Sequence, residues 1–164
     1  MKISLHPLRE EDMMFVQEIY TYYTLHSMAV YSITPPTIEE LKSFIPFNDP
    51  PYRAYVIHDR NGHSVGICYY SRFKPREAFR RSVELTIYFH PDHVGKGYGT
   101  EVMKMIEEEI RSVGFKNIMA LIDSRNATSL HLFRRFGYRK CACIREVGEK
   151  YHELLNLVMV QKLL

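Results

Sequence analysis

The residues with the clearest capacity for chemistry lie between positions 91 and 100, where Gly95, Gly97 and Gly99 alternate with other residues. Glycine lacks a Cβ atom, so consecutive backbone N–H groups in such a segment can turn toward one point. A long amphipathic pattern follows at once, and the positive end of that helix dipole would lie beside these groups. A diphosphate suits this arrangement, and Lys96 adds a positive charge. The alternative is a glycine-rich turn that binds no ligand.

The spacing of these glycines excludes two familiar phosphate loops. The Walker pattern requires Gly-Lys followed by Ser or Thr, whereas Lys96 is followed by Gly97. The dinucleotide fingerprint Gly-x-Gly-x-x-Gly is not matched either, because Gly99 comes too soon after Gly97. The segment therefore indicates a different phosphate-bearing cofactor.

Glu84 is the candidate for acid–base chemistry, in the β-rich run that precedes the glycines. Side chains alternate between the two faces of a strand, so Glu84 shares one face with Thr86 and Tyr88. The opposite row is more apolar and consists of Val83, Leu85, Ile87 and Phe89. If that row packs on the core, Glu84 faces a cleft, where a carboxylate can act as a general base. The alternatives are a solvated carboxylate or an ion pair with Arg80 or Arg81.

A basic connection over residues 72–76 and nearby aromatic side chains are candidates for binding a small anionic ligand. The cationic groups of Lys74, Arg76 and Arg80 suit a carboxylate or a phosphinate. The aromatic residues that can wall a pocket are Tyr22, Tyr23, Tyr31, Phe73 and Phe79. The alternative is a solvated basic loop above aromatic core residues.

No metal centre or disulfide framework is predicted. His90 and His93 flank Asp92, but Pro91 is expected to prevent helical i,i+3 geometry, and no third ligand is apparent. The cysteines show neither CxxC spacing nor a zinc pattern, and they are Cys68, Cys141 and Cys143. They are expected to be small buried thiols in a reducing cytoplasm.

The composition favours a single domain over residues 1–164. With 46% hydrophobic and 25% charged residues, the chain has material for a core and lacks the character of a disordered protein. A net charge of +3 suits an anionic ligand but falls short of a nucleic-acid binder. No signal-peptide core or membrane-length apolar window is present. We therefore expect a cytoplasmic protein with no nucleic-acid or membrane partner.

The elements that position these groups follow from hydrophobic periodicity and turn residues. The predicted strands cover residues 2–7, 52–58, 64–70, 82–90 and 117–122, with two more in residues 138–164 hinged near Gly148. The predicted helices are one opened by residues 9–12, a short one after the Thr37 and Glu40 capping box, and those over residues 98–113 and 126–136. Strands and helices alternate in the middle, so a mixed sheet flanked by helices is expected.

Three local details of these elements are specific enough to test. In the first helix, five residues are spaced to lie on one face, and they are Phe15, Ile19, Tyr22, Tyr23 and His26. The Asn61-Gly62 pair favours a primed hairpin turn. The helix over residues 98–113 is the clearest of all, and Gly114 is expected to end it in a left-handed conformation.

Two signatures in this order resemble those of the Gcn5-related N-acetyltransferases, abbreviated GNAT. The family's Arg/Gln-x-x-Gly-x-Gly/Ala, between a strand and a helix, resembles Val94-Gly95-Lys96-Gly97-Tyr98-Gly99. Its second signature, Asn-x-x-Ser followed by Leu-Tyr-x-x-x-Gly-Phe, is similar to residues 126–129 and 132–138. The resemblance implies an α/β (α+β) fold with a mixed, mostly antiparallel sheet of six or seven strands, flanked by about four helices.

The likeness extends to the phosphinothricin N-acetyltransferase branch of that family. Residues 76–79 and 82–89 are similar to its Arg-x-x-Tyr…Thr-x-Glu-x-x-x-Tyr-Val run, and residues 150–153 resemble its Lys…Trp-His-Asp hairpin. The resemblance implies acetyl-CoA as co-substrate and a small-molecule amine, such as an amino acid or its analogue, as acceptor. It also implies direct attack by the amine in a ternary complex, and a homodimer.

The same resemblance implies roles for individual residues, with Glu84 as the catalytic base, facing the cleft near the end where acetyl-CoA would lie. The implied cofactor contacts are Tyr88, Phe89, His90, Gly95, Lys96, Gly97, Tyr98, Gly99, Thr100, Asn126 and Ser129. The backbone at residues 88–90 would pair with the pantetheine arm, and the loop amides would hold the diphosphate. The implied substrate contacts are Tyr23, Phe73, Lys74, Arg76 and Phe79.

Two residues depart from the family pattern. Val94 replaces the usual Gln or Arg, which removes a side-chain contact but leaves the backbone cradle. Phe133 stands where relatives carry a Tyr, or in this branch a His, that protonates the departing thiolate. Because phenylalanine cannot donate a proton, one alternative is a catalytically weak or inactive acyl-CoA-binding module. Another is an acetyltransferase for protein N-termini or polyamines.

Overall fold

Seven strands and four helices account for most of residues 2–164, the part of the chain described by its computed structural model. The strands are β1 (Ile3–Pro7), β2 (Arg53–Asp59), β3 (Ser64–Arg72), β4 (Ser82–Phe89), β5 (Asn117–Asp123), β6 (Arg139–Lys150) and β7 (Glu153–Leu163). The helices are α1 (Met13–His26), α2 (Ile38–Phe44), α3 (Tyr98–Val113) and α4 (Ala127–Arg135). Short 3₁₀ turns cover Glu10–Asp12, Glu77–Phe79 and Pro91–His93.

The strands form one mixed sheet in the order β1-β2-β3-β4-β5-β7-β6. Neighbouring strands are antiparallel except for β4 and β5, which run parallel. The predicted fold, a mostly antiparallel sheet flanked by four helices, is therefore confirmed. No helix within residues 2–164 has the length and apolar character needed to cross a membrane.

Helices cover both faces of this sheet and divide the core into two clusters. On one face α3 packs through Val102, Ile106 and Ile110, which lie four residues apart and are fully buried. Burying each of these side chains contributes about 1.5–3 kcal/mol. On the other face α1 and α2 pack over β2 and β3.

The parallel pair β4 and β5 separates after a short contact. Glu84 and Met119 are the last residues in register, and beyond them the two strands diverge. β4 continues to Phe89 in contact with β3, and β5 continues to Asp123 in contact with β7. The divergence opens a wedge in the middle of the sheet, immediately before the glycine-rich segment.

The local signals for α2 and α3 are confirmed. α3 covers the predicted residues, and Gly97 and Gly114 flank it with φ angles of 81° and 103°, in the left-handed region that favours glycine. At the start of α2, the Thr37 hydroxyl accepts from the Glu40 N–H and the Glu40 carboxylate accepts from the Thr37 N–H. This is the reciprocal capping box.

The buried face of α1 differs from the predicted one. The residues that it buries are Met13, Val16, Ile19, Tyr20 and Thr24. Tyr22 is 40% exposed and His26 is also exposed, although both belonged to the predicted face. The prediction treated these rings as apolar, but tyrosine and histidine also carry polar groups that remain in water.

The turn between β2 and β3 is not the predicted primed turn. Both primed types need a positive φ at the first residue of the pair, Asn61, whereas only the second, Gly62, has one, at 83°. The Asp59 carboxylate instead accepts hydrogen bonds from the N–H groups of Asn61 and His63, at 2.9 and 3.0 Å. An aspartate that bonds to its own turn in this way competes with the two-residue hairpin.

The turn between β6 and β7 lies at Tyr151 and His152, with φ angles of 52° and 63°. The predicted hinge, Gly148, lies inside β6, where a Cβ atom would come within 3.3 Å of the Leu155 side chain. This glycine therefore permits a close approach between the two strands and does not form the turn.

Two further expectations are corrected by the structure. Pro91 does not prevent a helical turn, because it occupies the first position of the 3₁₀ turn, where the missing N–H has no cost. Cys68 is buried as expected, but Cys141 and Cys143 are exposed. Both lie on the edge strand β6, which packs mainly on β7.

Candidate active site

A cavity of about 950 Å³ lies in the wedge between the ends of β4 and β5, and we call it the main cavity. Its walls are the end of α1 with the residues after it, the end of β4, the glycine loop (residues 93–100), the start of α4 and the β6–β7 turn. The predicted cofactor residues that line it are Tyr88, Phe89, Gly95, Lys96, Gly97, Tyr98, Gly99, Thr100, Asn126 and Ser129. The wedge therefore brings together residues from distant parts of the chain.

The glycine loop presents free backbone donors to this cavity. Gly95 and Gly97 both have φ angles of 81°, and a Cβ atom at either position would meet no atom within 4 Å. Glycine is therefore required at these positions because of the left-handed backbone conformation, and not because a side chain would clash with a neighbour. Within residues 2–164, the N–H groups of residues 95–99 have no backbone acceptor, and the Thr100 N–H reaches the Gly97 carbonyl only at 3.3 Å. Free donors at the N-terminal end of α3 form a site for an anion.

Positively charged and imidazole side chains stand beside these donors. Lys96 Nζ lies 3.1 Å from His93 Nδ1. Burial and then the charge of Lys96 lower the pKa of His93, so its imidazole stays neutral and can accept a hydrogen bond from Lys96. His131 and Arg135, one helical turn apart on α4, also line the cavity. The only sequence signal for these two was their i,i+4 spacing.

Only alternate residues of β4 turn their backbone groups toward the wedge. The N–H of His90 donates to the Val65 carbonyl of β3 at 2.9 Å, so by alternation Tyr88 is also bonded to β3. Ile87 and Phe89 therefore face the wedge with their N–H and C=O groups. Of the three residues predicted to pair with a ligand, only Phe89 has this orientation. The alternation depends on strand register, which sequence does not reveal.

Tyr23 and Tyr88 attach α1 and the segment after it to the end of β4. The Tyr23 hydroxyl donates to the Phe89 carbonyl at 2.8 Å, and a carbonyl oxygen can accept a second hydrogen bond. The Tyr88 hydroxyl donates to the Ala29 carbonyl at 2.9 Å. Among the predicted substrate residues, Tyr23 is the one that lines the main cavity.

The start of α4 forms the opposite wall. Asn126 caps this helix, because its Oδ1 accepts from the Ser129 N–H at 3.1 Å. Phe133 also lines the cavity but is only 5% exposed, and its ring meets that of Tyr138 edge to face at 4.8 Å. Phe133 therefore completes an apolar part of the wall and supplies no proton donor.

A group of three charged residues that sequence reasoning missed lines the main cavity near the β6–β7 turn. Asp123, at the end of β5, is buried and accepts from Arg125 Nε at 2.9 Å. Arg125 Nη1 donates to Glu153 Oε2 at 2.5 Å and so links β5 to β7. All three residues line the main cavity. Arg125 and Glu153 lie far apart in the chain, so no local pattern connects them.

Glu84 lines a second cavity of about 610 Å³, between the strands β3 and β4 and the end of α2. The hydroxyl-bearing residues Tyr69, Ser71 and Thr86 line the same cavity. The apolar row of β4 packs on the core as predicted. Glu84 and Thr86 of the other row line this second cavity, and not the cleft beside the cofactor residues where Glu84 was expected. The second cavity is distinct from the main cavity, which Glu84 does not line.

The surroundings of Glu84 favour its protonated form. Burial raises the pKa of Glu84 above its ordinary value, and the positive charge of Lys74 partly offsets this shift. Lys74 is therefore the cation that acts on Glu84, in place of the Arg80 or Arg81 considered from sequence. A carboxylate with a raised pKa is a better proton acceptor near neutral pH.

Tyr31 lies within electrostatic reach of both cavities. Burial raises the pKa of its phenol first, and the carboxylates of Asp123 and Glu84 raise it further. Asp123 lines the main cavity and Glu84 the second one, so a carboxylate of each cavity acts on this phenol. Its phenol keeps its proton at neutral pH.

The other four predicted substrate residues lie on the β3–β4 connection, outside the main cavity. The rings of Phe73 and Phe79 meet edge to face with centroids 6.3 Å apart. Lys74 Nζ lies 5.4 Å from the centre of the Phe73 ring. Arg76 is exposed, as is Phe79. Lys74 links this group to Glu84, whereas Tyr23 belongs to the main cavity.

The fold and the site together define an acetyltransferase. The acetyltransferase (GNAT) domain family matches residues 2–139, and the chain belongs to this family. The matched region contains the wedge, the glycine loop, α3 and α4.

The chain is similar over nearly its full length to named acetyltransferases. It is 29% identical to the L-amino acid N-acyltransferase MnaT of Escherichia coli, over 97% of this chain and 92% of that protein. It is 28% identical to an L-methionine sulfoximine/L-methionine sulfone acetyltransferase of Pseudomonas paraeruginosa, over 98% and 94% of the two chains. A phosphinothricin acetyltransferase of Sinorhizobium meliloti, solved in complex with AcCoA, superposes with a TM-score of 0.91 at 27% identity, over 100% of this chain and 89% of that one.

Proposed function

We propose that this protein is an acetyl-CoA-dependent N-acetyltransferase that acts on the primary amine of an amino acid or an amino-acid analogue. The observation that carries the proposal is the continuity of the wedge. A strand edge with free backbone groups leads directly to unpaired N–H donors at the start of α3. An extended arm that ends in a diphosphate fits this path. Because β1 to β7 share one sheet, we also propose a single domain over residues 1–164.

In this proposal the cofactor is held from three sides. The loop amides of residues 95–100 bind the diphosphate, and Lys96 adds charge. Ile87 and Phe89 pair with the pantetheine arm in the way that a neighbouring strand would. Asn126 and Ser129 contact the arm from α4. Acetyl-CoA supplies an activated thioester, so the protein needs no nucleophile of its own.

Glu84 is proposed as the base, acting directly or through a water molecule. A lysine-like amine has a pKa of about 10.4 and is an ammonium at neutral pH, so it must lose a proton before it can attack. Support for this role is that Glu84 is the last residue of β4 in register with β5, so its backbone lies where the two strands separate, while its side chain lines the second cavity. Once Glu84 has taken the first proton, the C–N bond forms and the C–S bond breaks within one ternary complex. The attacking nitrogen then releases its second proton, and the leaving thiolate takes up one proton, directly from that nitrogen or through water, because Phe133 cannot donate one.

The acceptor is proposed to enter from the end of the main cavity that is remote from the glycine loop. Residues 25–29, Tyr151 and Glu153 line the main cavity, and we propose that they form this acceptor end. Lys74 and Arg76 on the nearby β3–β4 connection are proposed to attract the carboxylate or phosphinate of an amino-acid-like acceptor. The names of the relatives, which refer to amino acids and their analogues, support this class of acceptor.

The direct test is release of free thiol from acetyl-CoA by the purified protein. The acceptor panel comprises the common amino acids, methionine sulfoximine, phosphinothricin, spermidine and a peptide with a free N-terminus, with an amine-free reaction as background. We expect thiol release with at least one amino-acid-like acceptor. Release with spermidine or the peptide alone would assign a different acceptor class, and background rates throughout would overturn the proposal.

A second candidate is an acyl-CoA-binding module with little or no turnover. The observation that favours it is Phe133, a buried apolar residue on the cavity wall in the position of the family's proton donor. Titration calorimetry with acetyl-CoA, combined with the thiol assay, separates the two candidates. Tight binding without turnover on the complete panel supports the module.

A further inference from the structure

Lys150, at the end of β6, carries a buried charge that pairs with no carboxylate of residues 2–164. Its side chain is 1% exposed, and Nζ donates to the carbonyls of Ser27 and Val30, each at 2.7 Å. The Tyr23 carbonyl lies 3.5 Å away. These carbonyls belong to the last turn of α1 and the segment after it, where the negative end of a helix dipole favours a cation. Burial lowers the pKa of Lys150.

Tyr151, the next residue, makes a second attachment to the same part of the chain. Its hydroxyl oxygen lies 2.9 Å from the Thr24 carbonyl and 3.0 Å from the Ile33 carbonyl, and its single proton can be donated to either of them. Lys150 and Tyr151 therefore hold the chain from both sides of residues 27–30. The tip of the β6–β7 hairpin and the end of α1 are more than 120 residues apart in sequence.

The segment that they hold is part of the wall of the main cavity. Ser27, Met28 and Ala29 line it, together with Tyr151 itself. From the other side, the Ala29 carbonyl accepts from the Tyr88 hydroxyl at 2.9 Å. The segment is thus fixed between the hairpin tip and the end of β4, at the acceptor end of the cavity.

Burying the charged ammonium group of Lys150 lowers stability, and an uncharged side chain of the same size would avoid this cost. Burying an ammonium group costs several kcal/mol unless its donors are satisfied in good geometry. A methionine of similar length would fill the space without this cost. The ammonium group adds directional hydrogen bonds, which hold main-chain carbonyls at fixed positions.

From these contacts we infer that Lys150, supported by Tyr151, is a positioning residue that sets the acceptor end of the main cavity by holding residues 27–30. This inference rests on the proposed function, because only an enzyme that acetylates an amine has an acceptor end. It predicts that loss of the contacts affects the acceptor more than the cofactor, because the diphosphate donors lie on the separate glycine loop.

The test compares Lys150→Met and Tyr151→Phe with the control Lys140→Met, which changes an exposed lysine on the same strand. For Lys150→Met we expect the KM of the acceptor to rise by roughly tenfold, since small misplacements in a reacting pair are costly. The Kd of acetyl-CoA should stay within about twofold of the wild-type value. Tyr151→Phe should also raise the acceptor KM without changing the Kd of acetyl-CoA, but by a smaller factor. Lys140→Met should change neither quantity.

A purely structural role gives a different result and would overturn the inference. In that case kcat would fall in proportion to the folded fraction, with the acceptor KM unchanged. If Lys150→Met fails to fold, Tyr151→Phe decides by the same measurements.

Amide hydrogen exchange gives a readout that does not depend on turnover. Residues 24–33 should exchange faster in Lys150→Met than in the wild type, while β5 and β7 remain protected. Unchanged exchange in residues 24–33 overturns the inference. If the wild type shows no turnover with any acceptor, the proposed function fails, and the exchange measurement still decides whether Lys150 positions this segment.

Discussion

Glu84 is half-buried, and its strongest favourable electrostatic partner is Lys74 on a neighbouring connection. Keeping a carboxylate ionised in such a place costs stability, whereas a catalytic base benefits from the raised pKa that results. Phe133 is the opposite case, because it lines the main cavity and brings no titratable group to it. The chemistry at the residue scale therefore depends on Glu84.

Replacement of Glu84 by glutamine tests its role as the base. Glu84→Gln should lower kcat by roughly 10²–10⁴, since the amide cannot take the ammonium proton. The Kd of acetyl-CoA should remain unchanged, because the glycine loop is intact. The melting temperature at neutral pH should rise, since a partly buried negative charge has been removed. Glu108→Gln, an exposed change on α3, is the matched control, and wild-type turnover in Glu84→Gln would remove Glu84 from the mechanism.

The raised pKa of Glu84 also predicts the pH dependence of activity and stability. On the acid side, kcat/KM should fall as pH decreases through the raised pKa, because the base becomes protonated. The folded protein binds this proton more tightly than the unfolded chain does, so the contribution of Glu84 to stability is present at low pH. That contribution is lost as pH rises through the folded pKa.

Unfolding free energies of wild type and Glu84→Gln between about pH 4 and pH 8 measure this difference. The wild type should lose stability relative to the variant as pH increases. A constant difference over that range would show that the pKa of Glu84 is the same in the folded and unfolded states.

At the scale of elements, the glycine loop and α3 act as one anion-binding unit. The free N–H groups of residues 95–99 depend on the left-handed conformations of Gly95 and Gly97. Gly99 differs from these two, because a Cβ there would lie 3.0 Å from a terminal methyl group of Leu132 and that side chain would have to move slightly. Backbone conformation matters at Gly95 and Gly97, and packing against α4 matters at Gly99.

Gly97→Ala tests the conformational requirement, with Gly62→Ala as its control. The two glycines have φ angles of 81° and 83°, and a Cβ atom added to either would meet no atom within 4 Å. Both variants should therefore lose a similar free energy of unfolding, about 1–2 kcal/mol. Only Gly97→Ala should also weaken acetyl-CoA binding, by roughly tenfold, because it disturbs donors at the diphosphate site. Equal Kd values for the two variants, measured by calorimetry, would contradict the assignment of the loop.

At the scale of the whole molecule, the sheet consists of two halves joined by the short contact between β4 and β5. A ligand in the wedge would contact both halves. The edge strand β6, with its exposed residues, lies at one end of the sheet. The expected homodimer stays a prediction, which light scattering of the purified protein would test.

Binding across the wedge predicts a thermal shift. Acetyl-CoA at about one hundred times its Kd should stabilise the folded protein by about 2.7 kcal/mol and raise the melting temperature by several degrees. The shift at the same concentration should be smaller in Gly97→Ala. A melting temperature that does not respond to acetyl-CoA would contradict both the enzyme and the binding-module proposals.

Local patterns were sufficient for much of this protein. The capping box of α2, the limits of α3 and the glycine loop depend on residues only a few positions apart, so the sequence alone determined them. The alternation of apolar and polar residues in β4 likewise placed Glu84 on the face opposite the α3 cluster. The error in the buried face of α1 arose because a tyrosine or histidine suits both water and the core.

The tertiary structure decided the features that depend on distant parts of the chain. The end of pairing at Glu84 and Met119 creates the wedge, and the register of β3 with β4 turns Ile87 and Phe89 toward it. The contacts of Lys150 with the end of α1 are also invisible in sequence. Such contacts form only when the chain packs, because the geometry of the sheet selects the partners and no local spacing encodes them.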